Sequence, residues 1–81
     1  MTDAMPSNAH VAQVVELSVT SDQSFEHAVQ LAADTAKNSL GDPQSIWVKE
    51  QRANLSGGSI NEYQVNVLVT YFPLEGKPKA W

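Results

Sequence analysis

The chain is expected to fold as an α+β domain in β-α-β-β order, a three-stranded antiparallel sheet packed on one helix. Three observations predict it. Residues 11–20 and 62–71 alternate apolar with polar side chains, the period of a half-buried strand. Between them, residues 24–40 carry apolar groups at spacings of three and four, the period of an amphipathic helix. Gly57 and Gly58 then separate the second and third extended segments, as a tight hairpin requires.

The first strand runs from Val11 to Thr20. Val11, Val15, Leu17 and Val19 share one side, with Glu16 and Ser18 on the other. In Thr20-Ser21-Asp22-Gln23 a hydroxyl can cap a helix and an acid follows, so the helix starts there. Phe25, Val29, Ala32, Ala36 and Leu40 form its stripe. Gly41 is expected to stop the helix, and Asp42-Pro43 to mark a loop up to Ser45.

A second strand follows from Ile46 to Asn54. Ile46 and Val48 face one way, and Ser45, Trp47, Lys49 and Gln51 the other. In the third strand Tyr63, Val65, Val67, Val69 and Tyr71 can cover the helix stripe. Glu62, Gln64, Asn66, Leu68 and Thr70 face away. One helix covers only one side of such a sheet. The other side then carries Trp47, Leu68 and Phe72 among polar groups, which points to contact with another subunit or a ligand.

Residues 1–10 and 76–81 are polar and aperiodic and are expected to be tails around a domain at 11–75; Trp81 can dock on a neighbouring surface. The 81 residues include no cysteine, two histidines, nine acids and five bases, for a net charge of −4. Disulfides, thiolate metal sites and cysteine nucleophiles are excluded, and the acidic balance argues against nucleic acid. No apolar run approaches the roughly 18 residues of a membrane span. The N-terminus lacks the basic and apolar regions of a secretory signal, so a cytoplasmic location is expected. A domain this short draws only about 3–5 kcal/mol from its own core, which makes oligomerisation the expected staple.

Catalysis has little support. His10 and His27 have no Asp or Ser partner at a recognisable spacing, and His27 is expected to be a solvated residue beside the helix stripe. Asp22, Glu26 and Asp34 do not make the dense oxygen loop that calcium prefers. No enzyme activity is expected.

Four segments in order resemble the dodecins, small β-α-β-β proteins that assemble into hollow dodecamers. Val15–Ser21 is similar to the family's V-E-L-x-x-T-S opening, and SFEHAVQLAADTAKNSL to its helix. Val48–Ala53 resembles its V-x-x-x-R-G stretch, with Ala53 in place of Gly. Glu62–Val69 is similar to its E-Y-Q-V strand. The resemblance implies a homo-oligomer that binds flavin, such as riboflavin or FMN, and stores or sequesters it without turnover. It places Gln64 where the family hydrogen-bonds the polar edge of the flavin ring, and Arg52 where some members contact the ligand. Ser45 stands where the family carries a stacking Trp. Trp47 lies two residues on, about 6–7 Å along the strand and on the same face. Some dodecin relatives bind calcium instead. A flavin-free shell or a calcium-binding assembly is therefore the alternative, with its metal site unlocated.

Overall fold

The computed structural model describes residues 11–73. The expected tails and the docking of Trp81 lie outside the described residues. The elements are β1 (Gln13–Ser21), α1 (Phe25–Ser39), β2 (Gly41–Ser56) and β3 (Ser59–Pro73). They form one antiparallel sheet in the order β1-β3-β2, so the third strand is the central one. The β-α-β-β architecture expected from the periodicities is the one found.

The core is narrow and built from small side chains. Val65, Val67 and Val69 on β3 are fully buried against Ala28, Ala32 and Ala36 of α1. The alanines recur every four residues, so they fall in one line and let the helix backbone approach the sheet closely. Burying each valine contributes roughly 1.5–3 kcal/mol. Val15, Leu17, Val19, Phe25, Val29, Leu40, Ile46 and Val48 close the margins of this cluster. Phe25 meets Tyr63 edge-on, with ring centroids 5.1 Å apart. Only two of the expected stripe residues, Ala32 and Ala36, are fully buried. Ala28 joins them, while Phe25, Val29 and Leu40 sit at the rim.

Several expectations need correcting. Val11 precedes the strand and is exposed; β1 begins at Gln13, opposite Tyr71 near the end of β3. The helix cap is Ser24, whose Oγ accepts from the His27 backbone N–H at 2.9 Å. Ser21 instead ends β1, buried, and its Oγ accepts from the backbone N–H of Gln23 at 2.9 Å and of Ser24 at 3.4 Å. His27 is not a solvated bystander: its Nδ1 lies 2.6 Å from Ser21 Oγ.

Residues 41–45 are strand rather than loop, since β2 starts at Gly41 immediately after the helix cap Leu40. A Cβ at Gly41 would press on the Phe72 carbonyl and lie 2.9 Å from Pro73 Cα, so only glycine lets the backbone turn this close to β3. Positive φ occurs instead at Gly57 and Gly58, at 61° and 85°, as a two-residue hairpin turn needs.

Candidate functional site

β2 does not keep strict alternation. Its pairing with β3 shifts between Pro43 and Ser45, between Val48 and Glu50, and between Asn54 and Leu55. The second shift leaves Lys49 as an extra residue, a β-bulge. Downstream of it every side chain changes face relative to a period of two. Gln51 consequently pairs with Val65 on the helix side, a correction to its expected place on the open face. Glu50, Arg52 and Asn54 pair with Asn66, Gln64 and Glu62 and point away from the helix.

The bulge brings all four candidate residues to one face. Ser45 pairs with Thr70, Trp47 with Leu68, and Arg52 with Gln64. Arg52 and Gln64 are thus direct cross-strand neighbours. Trp47 is four residues from Gln64 measured along β3, about 13 Å, whereas Ser45 is six residues away, about 20 Å. Trp47 is 67% exposed, and Ser45 and Arg52 are exposed as well. Gln64 is half-buried on the central strand.

This uncovered face has two halves. Toward the end of β3 it is apolar, with Trp47, Leu68 and Phe72 together with Val14, which is 59% exposed opposite Thr70. Toward the hairpin it is polar and hydrogen-bonded. Gln64 Nε2 donates to Ser18 Oγ at 3.1 Å, and Asn54 Nδ2 donates to Gln64 Oε1 at 3.4 Å and to Glu62 Oε1 at 3.3 Å. Asn66 Nδ2 donates to Glu50 Oε1 at 3.1 Å, leaving Asn66 Oδ1 buried and unpaired. Between the halves, Lys49 Nζ reaches both carboxylate oxygens of Glu16 at 3.3 Å. Arg52 Nη2 lies 4.0 Å from Glu50 Oε1.

The arrangement fixes the Gln64 amide in one orientation while leaving half its capacity open. One N–H and one lone pair are used, so one donor and one acceptor remain for a partner. Asn54 and Lys49 were missed as members of this constellation. Lys49-Glu50-Gln51-Arg52 is a run of four polar residues with no apolar side chain to mark the core side, so the bulge leaves no trace in the hydrophobic pattern.

Ser21 and His27 are the other close polar pair. Ser21 is only 5% exposed and its hydroxyl already accepts two backbone N–H groups, so the pair joins β1 to α1 and offers no accessible nucleophile. Among the described residues no three His, Asp or Glu side chains group to hold a metal ion, and no helix is long and apolar enough to cross a membrane.

A single helix on one face of a three-stranded sheet, with aromatic and amide groups on the other, defines a small β-α-β-β module with one covered and one uncovered sheet face. The family model described as Dodecin matches residues 11–73, and the chain belongs to the dodecin family. Solved structures agree. The tt0972 protein of Thermus thermophilus is 33% identical, with a TM-score of 0.72 over 78% of this chain and 93% of its own. The dodecin of Streptomyces davaonensis is 26% identical, with a TM-score of 0.72 over 76% and 91%. A Mycobacterium tuberculosis protein described as a calcium dodecin, with a novel calcium-binding site, is 25% identical, with a TM-score of 0.69 over 84% and 97%. No curated protein sequence matches the chain.

Proposed function

We propose that the chain is a homo-oligomeric small-ligand binding protein that holds flavin, as riboflavin or FMN, on the uncovered sheet face and stores it without turnover. The observation that carries this reading is the disposition of Trp47 and Gln64. A planar aromatic platform and a half-satisfied amide lie on one face, about 13 Å apart at the backbone. Their side chains close part of that gap, which suits a fused ring system with an imide edge. The ring stacks on Trp47. The remaining donor and acceptor of Gln64 meet the imide, with Arg52 and Asn54 beside them.

Trp47 takes the stacking role that Ser45 has lost. Ser45 contributes a small hydroxyl at the edge of the platform rather than an aromatic clamp. The same apolar half contributes burial between copies, and twelve copies of an 8.8 kDa chain have a mass of about 106 kDa. Native mass measurement on freshly purified protein reads both the assembly and any retained ligand. Titration with flavin, followed by flavin emission, reads stacking as quenching. Unchanged emission at micromolar flavin refutes the reading.

A second reading is a calcium-binding or purely structural shell. It is favoured by Ser45 in the clamp position and by the calcium dodecin among similar proteins. Because no three-carboxylate group occurs within one chain among the described residues, its cation site would be shared between copies. A colourless preparation whose Tm rises with calcium supports it; a yellow preparation excludes it.

A further inference from the structure

The hydrogen bonds around Gln64 have a direction, and Glu62 sets it. A carboxylate only accepts, so the Asn54 amide must turn its Nδ2 toward Glu62 Oε1, 3.3 Å away. The second hydrogen on the same nitrogen goes to Gln64 Oε1 at 3.4 Å. Gln64 is left with its oxygen toward β2 and its Nε2 toward β1, where it donates to Ser18 Oγ at 3.1 Å.

Turning over either amide breaks this series. A reversed Asn54 sets Oδ1 against the Glu62 carboxylate, acceptor on acceptor. A reversed Gln64 sets Nε2 against Asn54 Nδ2, donor on donor. Ser18 does not choose between the two senses, because a hydroxyl donates or accepts as its neighbour requires. Glu62 and Asn54 are half-buried cross-strand partners, and Gln64 is the next residue on the same face of β3, so strand pairing holds the series in place.

We infer that Glu62, acting through Asn54, is a positioning residue that fixes the sense in which Gln64 meets its ligand. The inference rests on the flavin reading above. From β1 to β2 the face presents the free N–H of Gln64, then its free lone pair, then the guanidinium of Arg52 opposite Gln64. That row is donor, acceptor, donor. An imide edge, carbonyl then N–H then carbonyl, is its complement. With the amide turned over the row becomes acceptor, donor, donor, and the match is lost.

The test exchanges the two groups that set the sense. Glu62→Gln with Asn54→Asp keeps the charge and nearly the shape of the pair, but places the acceptor-only group next to Gln64 and so turns its amide over. Riboflavin and its N3-methyl derivative, which lacks the imide donor, are titrated against wild type, the double variant and Glu62→Gln alone. Wild type is expected to prefer riboflavin by about tenfold, since the methyl group leaves Gln64 Oε1 without its donor. In the double variant riboflavin is expected to bind about tenfold more weakly, with the preference reduced to about twofold. Glu62→Gln alone can donate or accept, leaves Gln64 in both senses, and is expected to show a preference of about threefold. A purely structural role for the pair would weaken both ligands equally. A preference that stays near tenfold in the variants, whether or not both affinities fall, overturns the inference, as does a wild type that binds both ligands alike; the flavin reading survives each of these results. Should the double variant fail to fold, Glu62→Gln alone decides in the same way. Failure of wild type to bind either flavin overturns the flavin reading and this inference with it.

Discussion

The backbone of Gly41 packs against Phe72 so closely that even a methyl group at Gly41 would press on the Phe72 carbonyl and peptide carbon. This contact explains how the chain passes from helix to strand with one cap residue between them. Leu40 N–H bonds back to Ala36 O at 2.9 Å, and β2 pairs with Pro73 from its first residue.

Gly41→Ala is therefore expected to cost about 1–3 kcal/mol, since the neighbouring atoms are backbone and cannot move aside cheaply. Alanine at Gly57 or Gly58 meets open space and carries only the cost of positive φ, about 1 kcal/mol. Urea unfolding at one fixed protomer concentration separates these cases, since oligomer stability varies with concentration. A Gly41→Ala protein as stable as wild type would show that the strand start can shift.

At the other end of the helix, Ser21 carries three interactions through one oxygen. It accepts from two backbone N–H groups and pairs with His27 Nδ1. Ser21→Ala leaves the part-buried backbone N–H groups of Gln23 and Ser24 without this acceptor at the strand-to-helix turn and is expected to cost about 1–2 kcal/mol. Ser24→Ala, which removes the cap, costs about 1 kcal/mol. For a domain of this size each kcal/mol lowers Tm by roughly 4–8 °C. A Ser21→Ala Tm within a degree of wild type is the contrary result.

How much of this was visible in the sequence differs by element. The alternation from Tyr63 to Tyr71 announced the central strand because valine follows valine on a single face. The glycine pair announced the hairpin. Strand β2 was half-legible: Ile46 and Val48 mark the core side, but the polar run from Lys49 to Arg52 conceals a bulge that only pairing with β3 defines. The face shared by Arg52 and Gln64 depends on that bulge, so strict alternation alone places Arg52 beneath the helix. Asp42-Pro43 read as a break because proline disrupts a ladder. On β2, an outer strand, it is accommodated beside the shift at Gln44.

The closeness of helix and sheet yields a further prediction. Ala32 is fully buried in the line formed with Ala28 and Ala36, facing fully buried valines of β3. Ala32→Leu adds three carbon atoms where there is no room and forces the helix outward. A loss of about 1–3 kcal/mol is expected despite leucine's good helix propensity. Far-ultraviolet circular dichroism should retain the helix signal while denaturant tolerance falls. Unchanged tolerance would mean that the helix can slide on the sheet without penalty.

The last prediction concerns which row of the open face holds an aromatic ligand. Trp47 is exposed within one chain, opposite Leu68, so Trp47→Ala removes little from the fold of the protomer, within about 0.5 kcal/mol. Ligand binding should respond very differently. Stacking worth roughly 1–3 kcal/mol corresponds to about a 5- to 150-fold loss of flavin affinity. Ser45→Trp introduces an indole one row away, opposite Thr70, about 20 Å from Gln64 along the strand. A ring that contacts Trp47 and Gln64 of the same chain gains nothing from an aromatic so distant, and Ser45→Trp cannot rescue Trp47→Ala. A ring clamped between two copies can use either row, and the double variant then recovers affinity. Flavin titrations of wild type, both single variants and the double variant distinguish these geometries. Full affinity in Trp47→Ala alone would remove Trp47 from the site.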